Sequence, residues 1–130
     1  MIALAVTLKA WRLQLIAEAI NGGKLLLYPL PQPAAGGTHT CPLLAEINLP
    51  SPAASVAISG LTAILTFAAV ADVQAVVDGD AAWGRFVDSG GAFVLDGVAG
   101  VTGSGADILM ADTHLIIGGF VRIISGTLDE

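Results

Sequence analysis

The stretch that decides the fold is WGRFVDSGGAFVLDG, residues 83–97. Side chains on both sides of its centre alternate between two faces, and aromatic and β-branched residues bounded by Asp and Gly are typical of strands. Between the two runs, the residues Asp88-Ser89-Gly90-Gly91 tolerate the positive φ angles that a tight hairpin needs. A two-stranded hairpin is not stable alone, so the rest of the chain must supply more strands.

Alternation places Trp83 and Arg85 on one face of the first strand. We expect Trp83 to be buried in the core. For Arg85 there are two interpretations. Its stem lies along apolar surface with the charge in water, or it pairs with Asp96, the nearest carboxylate across the hairpin, and so fixes the strand register.

Composition limits the kinds of function. The 130 residues suffice for one domain, 55% are hydrophobic, only 12% are charged and the mean hydropathy is +0.80. Such a chain is either a membrane protein or one that hides much of its surface against partners. With five Lys and Arg, no basic cluster and a net charge of −6, nucleic acid is not an expected partner. The single Cys41 excludes an intrachain disulfide and a Cys-rich zinc site.

The N-terminal part is predicted to be an apolar segment, residues 1–6, and then a helix over residues 7–20. A signal peptide fits poorly, because no basic residues precede the apolar segment. Asn21-Gly22-Gly23 ends the helix. The helix is predicted to cover an open side of a sheet with one apolar stripe. This stripe consists of Leu8, Trp11, Leu15 and Ala19, with Ile16 and Ile20 beside it.

Residues 24–125 are predicted to form strands, and residues 126–130 a polar tail. The uncharged segment Asn48–Ala71 has the length of a membrane span. Its prolines, its central Ser59-Gly60 and its period of two instead predict a pair of strands, so we expect no membrane partner. The alternating apolar residues of this pair are Val56 and Ile58 in the first strand and Leu61, Ala63, Leu65 and Phe67 in the second. Its other face, of Ser, Thr and Ala, suits contact with protein better than water.

One helix followed by eight or nine short strands, with no alternation of helix and strand, favours a single mainly β domain over residues 1–130. An antiparallel β-sandwich of jelly-roll type fits best. A Greek-key or immunoglobulin-like sandwich is the alternative, although the Cys–Trp–Cys spacing is missing. Leu115–Ser125 is predicted to be the last strong strand, with a bulge or kink at Gly118-Gly119.

No motif carries reaction chemistry, so we predict no enzymatic activity, no cofactor and no metal. Asp78-Gly79-Asp80 lacks the further oxygen ligands and the closing Glu of a calcium loop. The pair Asp112 and His114 has no placed Ser to complete a triad. His39 is a lone loop histidine without partners for metal binding or catalysis.

An ordered set of structural motifs resembles the jelly-roll cement, or decoration, proteins of tailed-phage heads. The set covers nearly the whole chain and consists of the helix Trp11–Ile20, the strand Leu25–Tyr28 followed by Pro29, Pro31 and Pro33, Leu43-Leu44-Ala45-Glu46, the Ala-x-Trp-x-Arg-x-x-Asp-x-x-Gly block Ala81–Gly91, Val94-Leu95-Asp96-Gly97, Ala106-Asp107-Ile108, and Gly118-Gly119-Phe120-Val121. The chain departs from the family in its very apolar segment Pro52–Ala71.

The resemblance implies a structural virion protein, assembled in the host cytoplasm, that binds the outer capsid surface and cements neighbouring major capsid protein subunits. It also implies a homo-oligomer, with a dimer favoured and a trimer possible. The candidates for self-association are the strands of Ser51–Phe67 and the segment Met1–Val6. Both either form the contact or complete the protomer's own sandwich. For Met1–Val6 a further interpretation is an arm that reaches onto a neighbouring subunit. A phage tail or fibre module, or a carbohydrate-binding or hydrolytic β domain, are the alternatives. The candidate structural or interface residues are Trp83, Arg85, Asp96, Trp11, Val56, Ile58, Leu61 and Phe67.

Overall fold

The computed structural model describes residues 5–129. It is mainly β with one helix, as predicted. The elements are α1 (Val6–Ala19), β1 (Lys24–Tyr28), β2 (Ala45–Asn48), β3 (Ala54–Ser59), β4 (Thr62–Phe67), β5 (Val73–Gln74), β6 (Gly79–Asp80), β7 (Trp83–Val87), β8 (Phe93–Val101), β9 (Ile108–Met110), β10 (His114–Leu115), β11 (Phe120–Val121) and β12 (Ile123–Asp129). The predicted contacts of residues 1–4 lie outside the described residues.

Eight strands form one sheet in the order β2-β1-β7-β8-β9-β12-β4-β3. Its pairs are antiparallel except β8 with β9, which run parallel, so one pair departs from the antiparallel pattern that we predicted. The short strands form two further ribbons, β10 with β6 and β11 with β5.

The large sheet curls so that its two halves face each other. Phe67 in β4 stacks on Phe86 in β7, with ring centroids 4.5 Å apart and planes 8° from parallel. Three strands separate β4 from β7 in the sheet order, so this contact requires the curl. The main core fills the space between the halves, and α1 packs on β3 and β4.

The hairpin predicted at residues 83–97 is confirmed. β7 pairs with β8, and Asp88 closes the turn because its Oδ1 accepts the backbone N–H of Gly90 and of Ala92, each at 2.9 Å. Gly84 in β7 allows close packing inside the curl. A Cβ at this position would lie 2.9 Å from the side chains of Leu25 and of Ile108.

The uncharged segment also folds as predicted, into the antiparallel pair β3 and β4. Their register runs from Ala54 opposite Phe67 to Ser59 opposite Thr62, around a turn in which Gly60 has φ +61°. Within residues 5–129, no helix has the length and apolar character needed to cross a membrane.

The central stripe of α1 was predicted wrongly, because Trp11 and Leu15 are each 68% exposed and the helix buries Leu13 and Ala17 instead. Ile16 and Ile20, predicted beside that stripe, do face the core. Both sides of α1 carry apolar residues at helical spacing, so periodicity alone does not select the inner side. The end of the helix helps to set its rotation, since Asn21 Oδ1 accepts the backbone N–H of Ala53 at 2.8 Å.

The C-terminal prediction needs two corrections. The predicted strand Leu115–Ser125 is interrupted, because residues 116–119 make a turn in which Gly118 has φ +80° and Gly119 N–H donates to the Ile116 carbonyl. The predicted tail is part of β12, which continues to Asp129 and pairs with β4. Thr127 and Leu128 are thereby placed opposite Thr66 and Leu65.

Candidate interaction surfaces

Trp83 is buried on the outer side of the sheet and not in the main core. Gly84 and Phe86 point into the curl, so alternation turns Trp83 to the opposite side. There the segment between β1 and β2, residues 29–44, covers it, and the indole N–H donates to the Pro29 carbonyl at 2.8 Å. Tyr28 stacks on the indole at 4.7 Å and His39 meets its edge at 5.4 Å. These residues form a small second core under a loop, and burial raises the pKa of Tyr28.

Arg85 and Asp96 form the predicted pair across the hairpin. The guanidinium donates from Nε to Oδ1 at 2.8 Å and from Nη2 to Oδ2 at 3.1 Å, and this hydrogen bonding raises the pKa of Arg85. The two side chains are only 13% and 2% exposed. They also hold the loop, because Arg85 Nη2 donates to the Gly37 carbonyl at 3.0 Å and Gly36 N–H donates to Asp96 at 3.1 Å.

Trp83, Arg85 and Asp96 therefore make contacts within one chain, and these contacts fix the loop 29–44 on the sheet. Cys41 belongs to the same loop, and its Sγ lies 3.1 Å from the Pro31 carbonyl. The Nδ1 atom of His39 is buried without a hydrogen-bond partner. Across residues 5–129, no group of three His, Cys, Asp or Glu side chains is placed to hold a metal ion.

The outer side of α1 forms the first exposed apolar surface, which we call the helix face and define as Leu8, Trp11 and Leu15. Leu8 is 39% exposed, less than the other two. On another side of α1, Lys9 Nζ donates to the Leu61 carbonyl at 3.4 Å and so joins the helix to the turn between β3 and β4. Leu61 is 83% and Ile58 is 49% exposed.

The predicted interface residues thus divide into two groups. Trp11, Ile58 and Leu61 are open to contact. Val56 and Phe67 are half-buried and pack against the main core. Phe67 also lines an apolar cavity of about 270 Å³ between the halves of the sheet, beside Phe86 and Ile108.

A second exposed apolar surface was missed by sequence reasoning. We call it the apolar tip, and it lies where the turn at residues 116–119 meets the segment after β5. Its members are Val76, Val77, Ile116, Ile117 and Phe120, which are 38–73% exposed. Backbone hydrogen bonds join the two segments, from Ala75 N–H to the Gly119 carbonyl and from Gly118 N–H to the Ala75 carbonyl, both at 2.9 Å. The sequence signal was the pair Gly118-Gly119, interpreted as a bulge or kink inside a strand.

Carboxylates surround the apolar tip. Asp78 accepts the Ile117 N–H at 2.5 Å, and Asp80 Oδ1 lies 2.8 Å from Nδ1 of His114. Asp112 accepts a hydrogen bond from the backbone N–H of His114 at 2.9 Å and none from its ring. The histidine ring therefore pairs with Asp80, and that hydrogen bond raises the pKa of His114.

Comparisons with family models, with curated protein sequences and with solved structures find no match to this chain. The resemblance to decoration proteins therefore stays a prediction.

Proposed function

We propose that this chain is a structural virion protein that binds the outer surface of a tailed-phage head and cements neighbouring major capsid protein subunits. The observation that carries the proposal is the exposed apolar helix face, on a helix that packs on β3 and β4, together with the exposed Ile58 in β3 and Leu61 in the turn that follows it. The ordered motifs of the sequence supply the phage context. The chain acts by binding and not by catalysis.

Cementing needs a stiff module with adhesive surface. Arg85 and Asp96 tie the long loop 29–44 to the sheet, so the loop is ordered before the protein binds and adds no ordering cost to binding. The exposed apolar side chains gain free energy when a partner covers them, at roughly 25 cal/mol for each Å² removed from water. Repetition of such a contact over a shell adds many weak interactions through multivalency.

Two finer features belong to the same proposal. The curled, mainly antiparallel sheet with one N-terminal helix supports a jelly-roll type of architecture. The helix face and the β3–β4 turn support self-association, with a two-fold dimer favoured over a three-fold trimer.

Immunogold labelling of virions made by the phage that encodes this chain tests the location. We expect gold on the heads. Label restricted to tails would support the tail or fibre alternative, and virions without label would overturn the proposal.

Binding to heads that lack the protein tests the surface. We expect Trp11→Glu to lose saturation of such heads. The matched control is Gln14→Glu, which places the same charge at another exposed position of α1. Equal binding of the two variants would remove the helix face from the contact.

A further inference from the structure

The apolar cavity of about 270 Å³ between the two halves of the sheet has walls built from regular structure. Its lining comes from five strands, β1, β4, β7, β9 and β12, and from the segments that follow β2 and β4. Main-chain hydrogen bonds hold all five strands in one sheet, so the walls are in place before any ligand arrives. Preformed pockets of this kind are frequent in the mouths of β-barrels.

The cavity leads from the core to the surface. Its floor consists of Leu25, Phe86 and Ile108, which are each at most 2% exposed. Its rim includes Ala69 and Ile124, which are both exposed. A molecule from solvent therefore has a way in and a buried place to occupy.

Two features of β12 shape the rim. The register of β12 with β9 shifts between Ile123 and Ser125, and such bulges are common at the rims of barrels and next to functional sites. Gly126 then makes room for the ring of Phe67, because a Cβ at this position would lie 2.7 Å from Cδ2 of that ring. Phe67 stacks on Phe86, and the two rings give the cavity an aromatic side.

The lining determines the chemistry of a ligand. Among the lining residues within 5–129, only Thr66 and Ser125 have polar side chains, and none carries a charge. A buried ionic group would have no partner of opposite charge here, so its transfer from water would be costly. Water is also held poorly where few polar partners are available. The cavity is therefore suited to an uncharged apolar ligand.

The volume limits the size of that ligand. A cavity of roughly 150 Å³ lined by Leu, Ile and Phe is enough for benzene, whereas drug-sized ligands occupy pockets of roughly 300–1,000 Å³. We propose that the cavity binds a small uncharged apolar molecule, of the size of one aromatic ring with a short alkyl chain. No residue of the helix face or of the apolar tip lines the cavity, so this site goes beyond the proposed function and does not depend on it.

NMR with n-butylbenzene as the probe locates the ligand on protein that is isotope-labelled at its Ile and Leu methyl groups. We expect saturable shifts of the methyl signals of Leu25, Ile108 and Ile123, while those of Leu61 and Ile116 on the exposed surfaces stay in place. Shifts of Leu61 and Ile116 as large as those of the cavity residues would show adsorption to exposed surface and overturn the proposal. The absence of any shift up to the solubility limit of the probe would overturn it as well.

Filling of the cavity provides the matched comparison. Val70→Phe and Ile123→Phe each add a ring at a half-buried lining position, and the control Val101→Phe adds one at a position of β8 that is 43% exposed and does not line the cavity. We expect the two filling variants to weaken the binding of n-butylbenzene about tenfold or more, since the new ring occupies closely packed space that the ligand needs. Circular dichroism and melting temperature check that each variant folds. Binding by a folded filling variant that equals binding by the control would overturn the proposal.

A charged analogue tests the chemistry of the site. Para-butylbenzoate has the same hydrocarbon body with one carboxylate added. We expect it to bind about tenfold more weakly than n-butylbenzene or worse, because the lining offers the carboxylate no partner. The same methyl signals measure both affinities. Equal affinity for the two compounds would overturn the assignment of the site to uncharged ligands.

Discussion

The chain has two tryptophans, and they differ in burial. Trp83 is fully buried, with its indole N–H on the Pro29 carbonyl, whereas Trp11 is 68% exposed. Each lies beside an arginine, Arg85 in the hairpin and Arg12 in the helix. The difference shows that a strand and a helix constrain their side chains unequally. Alternation and the opposite strand fix both faces of β7, while α1 offers an apolar stripe on either side.

Removal of the buried ring is the strongest way to test this contrast. We expect Trp83→Ala to lower the free energy of unfolding by about 3–5 kcal/mol, as for other large-to-small changes of buried aromatic residues. Two contributions add to this loss: the packing of the indole against Tyr28, and the hydrogen bond by which the indole N–H holds the Pro29 carbonyl of the loop 29–44. Urea denaturation measures the effect. An unchanged unfolding midpoint would contradict the placement of Trp83 under the loop.

The ion pair beside Trp83 gives the next effect. We expect Arg85→Ala to cost about 2–3 kcal/mol, because the nearly buried Asp96 carboxylate loses its charged partner. The matched control is Lys24→Ala. Lys24 and Glu46 lie 2.7 Å apart but are about half exposed, and such pairs contribute about 1 kcal/mol or less. Equal losses for the two variants, measured by urea denaturation, would show that burial is not what gives the Arg85–Asp96 pair its value.

Truncation of the exposed ring completes the comparison. We expect Trp11→Ala to change the free energy of unfolding by no more than about 0.5 kcal/mol when the protein is dilute and monomeric. It should nevertheless weaken self-association about tenfold or more, since exposed aromatic residues that become buried are frequent hot spots. Dilute urea denaturation and sedimentation at high concentration separate the two effects. A stability loss as large as that of Trp83→Ala would mean that Trp11 packs within the protomer.

The sequence predicted those parts of the fold in which the pattern of apolar and turn residues is compatible with only one strand pairing. The Asp88 turn, the register of Arg85 with Asp96 and the β3–β4 pair follow from alternation and turn residues. The parallel pair β8 and β9 did not follow, because strand order depends on long-range contacts.

Two features of the surfaces also escaped prediction. The cover over Trp83 depends on the carbonyl groups of Pro29 and Gly37, and backbone acceptors leave no signal in a sequence. Ile116, Ile117 and Phe120 of the apolar tip were predicted to lie in one strand, because Ile116-Ile117 is as apolar as a core segment. The composition predicted that partners cover part of the apolar surface, but it did not predict which part.

The two histidines extend the comparison between closed and open regions and give the smallest effect. His39 packs against Tyr28 inside the covered cluster, whereas His114 stands in solvent beside Asp80 at the edge of the apolar tip. The hydrogen bond and charge of Asp80 raise the pKa of His114 above its ordinary value of about 6.5. The protonated ring is therefore favoured in the folded state, and its small contribution to stability is complete below the ordinary pKa and disappears as the pH rises through the raised one. An NMR titration of the imidazole C–H signals measures this directly.

The matched variants for that titration are Asp80→Asn and Asp112→Asn. We expect the first to return the pKa of His114 towards its ordinary value. The second should move it less, because Asp112 acts only through a weaker charge interaction and accepts no hydrogen bond from the ring. Equal shifts in both variants would mean that the ring responds to the negative field of the tip as a whole and not to a specific hydrogen bond. The open surface would then be better described by its total charge than by its individual contacts, in contrast to the Trp83 cluster, where single hydrogen bonds hold the loop in place.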